Sequence, residues 1–215
     1  MERRWPVGGG WDHFDGRWGP GRPGQGHQGG PGVPCGVGYG AGSVYVDGGP
    51  ALAAKLHTPG GVTADSAGNL VFADIRNNRV RVVANKSGTF HGKKMTDGFI
   101  YTVAGNGTAG YAGDGGAATK AELTASDVTV DGAGNLVIVS GEKIRVVAAA
   151  TGMFYGQAMT AGDIYTVAGN GMLGFSGDGG PATGAELFHP QGVTADGSRN
   201  LLIADGSGRI RKVTG

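Results

Sequence analysis

Three features of this 215-residue sequence predict an all-β fold built from repeated units. The first is self-similarity: VAGNGTAGYAGDGGAATKAEL at 103–123 returns as VAGNGMLGFSGDGGPATGAEL at 167–187, so Val103, Asp114 and Leu123 reappear 64 residues later as Val167, Asp178 and Leu187. A worn third copy precedes both, with Asp47 to Leu56 aligning to Asp114 to Leu123 at a shift of 67. A fixed period of this size marks a repeat architecture and takes precedence over any local motif. The second feature is a rhythm of short apolar runs punctuated by Gly, Asn and Asp, the residues that turns require. The third is composition: glycine, at 47 residues, is roughly three times its average usage. Charged residues make up 16% and the net charge is +1, so nothing electrostatic favours nucleic acid or an acidic membrane as partner. The single cysteine, Cys35, excludes an intrachain disulfide, and no apolar run nears the roughly 20 residues that span a bilayer.

Residues 1–42 are a different material. Gly, Pro and isolated Trp, Arg and His dominate them without strand or helix periodicity. Such a segment buries too little apolar surface to offset its backbone entropy, so a disordered leader is expected. Trp5, Trp11 and Trp18 could serve an aromatic binding arm; the plainer reading is a leader without function. It opens on a basic pair but lacks the apolar stretch of a signal peptide, and the compartment stays open.

The repeat region is 43–215, with units near 57–104, 124–168 and 188–215. In the first unit, Val62–Asp65 is a short extended run, Ser66–Asn69 a tight turn, and Leu70–Ala73 a second apolar run. Asp74–Asn78 closes that run, Arg79–Val83 alternates as a half-buried strand does, and Ile100–Val103 makes a fourth. The second unit repeats the order at Val128–Asp131, Gly134–Ile138, Lys143–Val147 and Ile164–Val167. Its shift falls from 66 to 64 between the second and third strands, which puts a two-residue deletion in that hairpin. The third unit has Val193–Asp196, Asn200–Asp205 and Arg209–Val213, without a fourth strand. Each unit reads as a four-stranded antiparallel meander, the pattern of a β-propeller blade. The expected fold is a partial propeller of about three such blades, the last lacking its outer strand.

At this point the residues resemble a known family. Pro59-Gly60-Gly61-Val62-Thr63-Ala64-Asp65, Gly68 to Asp74 and Asn77-Asn78-Arg79-Val80-Arg81 together look like an NHL repeat, and Pro190 to Val213 looks like another. The linking VAGNGxxGxxGDGGxAT segment is similar to that of bacterial NHL-repeat proteins and teneurin propellers. The middle unit departs, with Ser126-Asp127 in place of the Pro-x-Gly opening, Ser140 for the aspartate and Lys143 for the first arginine. The resemblance implies a propeller of commonly about six blades. Either a longer chain or further copies would then complete it.

Several motifs invite chemistry and have plainer readings beside them. Gly105-Asn106-Gly107-Thr108-Ala109-Gly110 and its copy at 169–174 match GxGxxG, but Tyr111–Gly116 breaks the helix that a dinucleotide site needs. A structural loop is expected. Asp114 and Asp178 supply one carboxylate per loop, too few for calcium, and are read as accepting backbone amides within a glycine turn. Asp65, Asp131 and Asp196 are read as turn caps, and Asp74–Arg79 and Asp205–Arg209 as cross-hairpin salt bridges. His57 and His189 share an inter-blade position but fall short of a metal-ligand set, and no Gly-x-Ser-x-Gly elbow occurs. The pairs Phe90-His91 and Phe154-Tyr155 are placed on a small hairpin extension, as a partner-binding ridge or as packing between blades.

The function expected is a noncatalytic binding or scaffolding module, without catalytic residues, metal or cofactor. Its alternatives are a fragment of a metal-dependent lyase or lactonase propeller, or a structural remnant. Strand direction places the second-to-third hairpins and the inter-blade loops on one face. Asn77, Asn78, Asn106, Tyr111, Asp114, Asn170, Phe175 and Asp178 are the candidate binding residues there. The partner expected is another protein, or further copies completing the propeller. Residues 30–37, with two prolines and three glycines, are poor material for a closing strand.

Overall fold

The computed structural model describes Gly38–Tyr39 and residues 47–215. Apart from that dipeptide the expected leader lies outside the described residues, as do Cys35, the three tryptophans and most of the linker up to Val46. Strands β1 (Gly38–Tyr39), β2 (Gly49–Pro50) and β3 (Lys55–Leu56) come first, with β1 and β3 paired in parallel. The first meander is β4 (Pro59–Ala64), β5 (Leu70–Asp74) and β6 (Arg79–Val83), then a hairpin of β7 (Gly88–Phe90) and β8 (Lys93–Met95), then β9 (Phe99–Ala104). After β10 (Gly116–Ala117) the second comprises β11 (Ala125–Val130), β12 (Leu136–Ser140) and β13 (Lys143–Val147). A hairpin of β14 (Gly152–Phe154) and β15 (Gln157–Met159) and then β16 (Asp163–Ala168) complete it. The third is β17 (Gly192–Ala195), β18 (Leu201–Asp205) and β19 (Arg209–Val213). Each predicted strand is present, and the hairpin shortened by two residues is the one at Gly141-Glu142.

The first two sheets have five strands rather than four, in the orders β2-β9-β6-β5-β4 and β10-β16-β13-β12-β11; the third is β17-β18-β19. The added strand comes from the glycine-rich segment that precedes each unit and lies antiparallel to its outer strand, Gly116 opposite Ile164 and Ala117 opposite Asp163. The four-stranded meander is present as expected, and the segment read as a connection adds a two-residue strand at its outer edge.

Strand β12 shows why the sheets stack. Leu136 and Ile138 pack toward the first sheet with Val71, Ala73 and Val80, while Val137 and Val139 pack toward the third with Val193, Leu201 and Ile203. Alternate side chains thus enter opposite cores, so the strand reads as an unbroken apolar run. Each such fully buried Leu or Ile contributes roughly 1.5–3 kcal/mol. Ala118, Ala121 and Leu123 line the junction between the first and second sheets. The equivalent Ala51, Ala54 and Leu56 cover Phe72, Val83 and Ile100 on the first sheet's other side. The third sheet's far side is more open: Ile210 is 72% exposed, where its counterpart Ile144 is 0% exposed.

An arginine in each third strand, fully buried at Arg81 and Arg145 and partly buried at Arg211, ties its sheet to the preceding glycine-rich segment. Arg145 donates from Nε (3.0 Å) and NH2 (2.6 Å) to Asp114 Oδ1, and from NH1 to the Glu122 carbonyl (2.7 Å). Thr166 of β16 donates its hydroxyl to the other Asp114 oxygen at 2.6 Å. Arg211 repeats this on Asp178 (2.6 Å), and Arg81 faces Asp47 (3.9 Å) and Asp74 (3.4 Å). So Asp114 and Asp178 are ion-pair partners, not the amide-accepting turn residues expected. The cross-hairpin reading is corrected in the third unit: Asp205 faces Arg211 at 3.7 Å, while Arg209 stacks on the Phe175 ring.

The first turn of each unit is capped as expected. Asp65 Oδ1 accepts the Ala67 and Asn69 amides (both 2.9 Å), its other oxygen accepts the Asn69 side chain (2.8 Å), and Asn69 accepts the Asn85 amide (2.9 Å). Asp131 with Asn135, and Asp196 with Asn200, repeat the cap. Gly68 and Gly134 take φ of 81° and 85° in these turns, and Arg199 holds the same place at 67°.

Two stability measurements follow. Arg145→Ala removes a fully buried side chain and takes the donor from the Glu122 carbonyl, and is expected to cost about 2–5 kcal/mol in urea unfolding. Asp178→Ala, at a carboxylate 66% exposed, is expected to cost about 1 kcal/mol or less; equal losses would contradict the assignment. Arg199→Gly removes a left-handed strain of about 1–2 kcal/mol against a glycine entropy cost of about 0.5–1, so a small rise in unfolding midpoint is expected.

Candidate functional site

The hairpins between second and third strands meet the glycine-rich loops that leave the outer strands. In the first unit Asn78, left-handed at φ 49°, donates its side-chain amide to the Gly107 carbonyl at 3.1 Å. Arg79 donates to the Asn106 carbonyl at 2.9 Å. Asn77 donates instead to Asp74 at 2.8 Å. Asn106 spans its loop, reaching the Lys120 carbonyl (3.0 Å) and accepting the Thr108 amide (2.7 Å). Asn170 does the same with Gly184 (3.3 Å) and Met172 (2.8 Å).

The GxGxxG glycines serve this contact. A Cβ at Gly105 would lie 2.1 Å from the Asn78 carbonyl oxygen, and one at Gly169 would lie 2.2 Å from that of Glu142. Both take φ near 85° (89° and 84°), so the backbone lies against the hairpin as only glycine allows. The first helical turn after Gly105 is the three-residue Ala118–Lys120, so no helix N-terminus meets the loop.

The structure brings Tyr111 to the second hairpin. Its hydroxyl donates to Glu142 Oε2 at 2.6 Å, Lys143 lies 5.3 Å over its ring, and the other Glu142 oxygen meets His189 Nδ1 at 3.6 Å. Burial, with the bond to Glu142, pushes the Tyr111 hydroxyl up. Phe175 holds the equivalent place in the next loop, with the Arg209 guanidinium 3.8 Å above its ring and Arg211 at 5.2 Å. Asp114 and Asp178 are set apart from these contacts. Their partner arginines lie in mid-strand, Arg145 opposite Ile138 and Thr166, so the two aspartates flank the sheets.

Three residues of this end were not anticipated. Met172, Leu173 and Phe188 are exposed beside the expected Phe175, and Phe188 packs edge-on to His189 at 5.0 Å. The signal was available in the alignment, where Met172-Leu173 stands in place of Thr108-Ala109 and Phe188 in place of Thr124. Asp127 was noted only as a departure. Its carboxylate accepts the Val193 amide of the third unit at 3.1 Å and lies against Gly61 of the first, where a Cβ would come within 1.8 Å of Asp127 Oδ1.

At the opposite end, a cleft of about 370 Å³ separates the first turns of units one and two, lined by Asp65, Phe90, His91, Val130 and Asp131. The hairpin extensions fold back onto those turns: His91 Nε2 meets Asp65 at 3.2 Å, and the Tyr155 hydroxyl donates to Asp131 at 2.7 Å. Both tips are left-handed, at φ 48° and 49°, each followed by a left-handed glycine. These aromatics are braces within a unit. Burial lowers the His91 imidazole below its ordinary value, opposed in part by Asp65. Burial would raise Asp65, but the bonds from Asn69 and Ala67 outweigh it and hold that carboxyl below the usual range. Burial and the Asp131 bond push the Tyr155 hydroxyl up. Among the described residues no three His, Cys, Asp or Glu side chains gather as a metal-ligand group, and no helix is long and apolar enough to cross a membrane.

No protein-family model and no curated protein matches the chain. Solved structures do. A protein of unknown function from Bacteroides thetaiotaomicron matches at TM-score 0.51 and 20% identity over 67% of this chain and 32% of its own. An auxiliary nutrient binding protein from the same organism matches at TM-score 0.45 and 15% identity, over 70% of this chain and 36% of its own. A gluconolactonase from Xanthomonas campestris matches at 0.40 and 16%, over 70% and 35%. The chain spans about a third of the length of these structures. Its fold is all-β, a partial β-propeller whose third blade carries three strands.

The His91 brace gives a pH test. As pH falls the unfolded chain takes up the imidazole proton first. The contribution of His91 is therefore complete above about pH 6.5 and is lost as pH drops through the lowered folded value. The second blade makes the same bond with a tyrosine that does not titrate there. His91→Tyr is expected to lose less melting temperature than the parent between about pH 7.5 and about pH 5.5; equal losses would show that His91 carries none of the acid sensitivity.

Proposed function

We propose that this chain is a noncatalytic NHL-type propeller segment that binds a protein through its hairpin-and-loop end. One observation carries the reading. Four of the eight large apolar side chains exposed among the described residues, Met172, Leu173, Phe175 and Phe188, fall in the second inter-blade loop, with Arg209 3.8 Å over the Phe175 ring. Aromatic, methionine and arginine side chains presented together are the composition of a protein-binding hot spot. The loop is held rigid beneath them by the Asn170 bonds, so little ordering entropy remains to be lost on binding. Asn78, Asn106 and Tyr111 extend the surface over the first two blades, with Asn77 behind them. Asp114 and Asp178 contribute by fixing the loops from the blade flanks. A partner covering this end could be another protein or a further copy of the chain.

The test uses a photo-crosslinking residue at position 172 and a control at Leu52, both in the full chain expressed in its native host. A discrete crosslinked species at 172, absent at 52 and lost with Phe175→Ser and Phe188→Ser, is expected. Equal labelling at both positions would overturn the reading, as would one equivalent of metal bound to the purified protein together with lyase or lactonase turnover.

A further inference from the structure

The cleft of about 370 Å³ between the first turns of units one and two carries charge that the chain does not balance. Asp65 and Asp131 stand in its walls, and among the described residues no lysine or arginine lines it. Every donor to the two carboxylates is neutral. Asp65 takes the Ala67 and Asn69 amides, the Asn69 side chain and His91, an imidazole that burial keeps neutral at pH 7. Asp131 takes the Ala133 and Asn135 amides, the Asn135 side chain and the Tyr155 hydroxyl. Such bonds fix a carboxylate in place and leave its full charge in the surrounding field. Among the described residues neither aspartate pairs with a lysine or arginine.

His91 adds an acceptor to this wall. Its Nε2 faces Asp65 at 3.2 Å, so the neutral ring carries its proton there and donates it to the carboxylate. The other nitrogen, Nδ1, is left as a lone-pair acceptor. The imidazole side chain is only 8% exposed and lines the cleft, yet Nδ1 has no partner among the described residues. Phe90 and Val130 supply apolar surface beside it. A buried acceptor next to two carboxylates suits a guest that brings both an N–H donor and a positive charge.

The next junction along the chain has its own cation. Gly68, Gly134 and Arg199 hold the same left-handed place in the turns of the three units. Tyr155 takes the part of His91 in the second unit; its hydroxyl is pushed up by burial and by the Asp131 bond, and the charge of Arg199 acts against that rise. An arginine of the third unit thus stands near the brace of the second. In the cleft between units one and two the matching residue is Gly134, which lines the wall without a side chain.

We propose that this cleft is a binding site for a small organic cation of the alkylguanidinium type. The charge lies between Asp65 and Asp131, one N–H donates to His91 Nδ1, and the alkyl body rests on Phe90 and Val130. The guest does at this junction what Arg199 does at the next. The site is at the end opposite the Met172–Phe188 surface, and neither proposal rests on the other.

The probe is n-butylguanidine, titrated into the full 215-residue chain and followed by amide chemical shifts, with N-butylurea as the neutral isostere. Saturable binding with a Kd of roughly 1 mM is expected, as suits so small a ligand. The largest shifts are expected at Ser66–Ala67, His91 and Gly132–Gly134. N-butylurea is expected to bind roughly tenfold more weakly or worse, a comparison that needs no variant of the chain to fold. Gly134→Arg supplies an internal guanidinium, and its Cβ would meet only the Ala149 Cβ, at 3.6 Å; a loss of roughly tenfold or more in butylguanidine affinity is expected. A free alkylguanidine and the arginine of a peptide share this chemistry. Acetyl-arginine-amide binding at least as tightly as butylguanidine assigns the second source, and weaker binding assigns the first. No saturation to about 20 mM, equal binding of N-butylurea, shifts confined to other regions, or undiminished affinity in a folded Gly134→Arg chain would overturn the proposal.

Discussion

The structure depends on a guanidinium held beneath each blade. Arg145 is fully buried, and its donors go to Asp114 and to the carbonyls of Glu122 and Ala112, all in the segment that arrives from the previous unit. An arginine buried in this way has no tolerable alternative once the sheet has formed, because an unpaired charge in the core costs several kcal/mol. The connecting segment must therefore lie where its carboxylate and carbonyls meet that charge. From this follow the extra outer strand, the alanines and leucine that seal the junction between blades, and the glycines that let the loop lie against a hairpin. Asp178 and Arg211 make the same clamp in a blade with three strands, so the clamp does not require the fourth.

The strands were legible because period-two alternation and turn residues report directly on a half-buried pleat. Val80-Arg81-Val82 could be read as a strand without any knowledge of what lay beside it. The internal repeat then turned several short, individually ambiguous runs into one architecture. What could not be read was pairing at long range. Asp114 is 31 residues from Arg145, and nothing local in Gly-Asp-Gly-Gly says that its carboxylate leaves the turn. Both residues recur in every unit, Asp47, Asp114 and Asp178 alongside Arg81, Arg145 and Arg211, and that joint recurrence was the signal available. The same limit applies to Asp205, which looked across its hairpin to Arg209 by sequence but faces Arg211 in space.

The candidate surface was legible in outline and not in detail. Chain direction alone put the second-to-third hairpins and the loops together, and Asn78 with Gly107, and Tyr111 with Glu142, are in contact. Sequence gave no means of separating residues whose side chains are consumed by structure from those left available. Asn106 and Asn170 spend their amides on bracing their own loops. Met172 and Phe188 stand out between the repeats as apolar replacements of threonine, but their exposure is a property of the folded chain.

The middle blade's aspartate at 127 has a consequence for the order of the units. Where the first and third blades have Gly61 and Gly192, the second has a carboxylate that takes up the space above Gly61 and accepts the Val193 amide. The three inner strands therefore fit as a small residue, an acid and a small residue. Two copies of the middle unit side by side would set two carboxylates against each other, and two flanking units would leave the amide without its acceptor. Although the units share a template, they are not interchangeable, and gene duplication or recombination that reshuffled them would meet this position as its first obstacle.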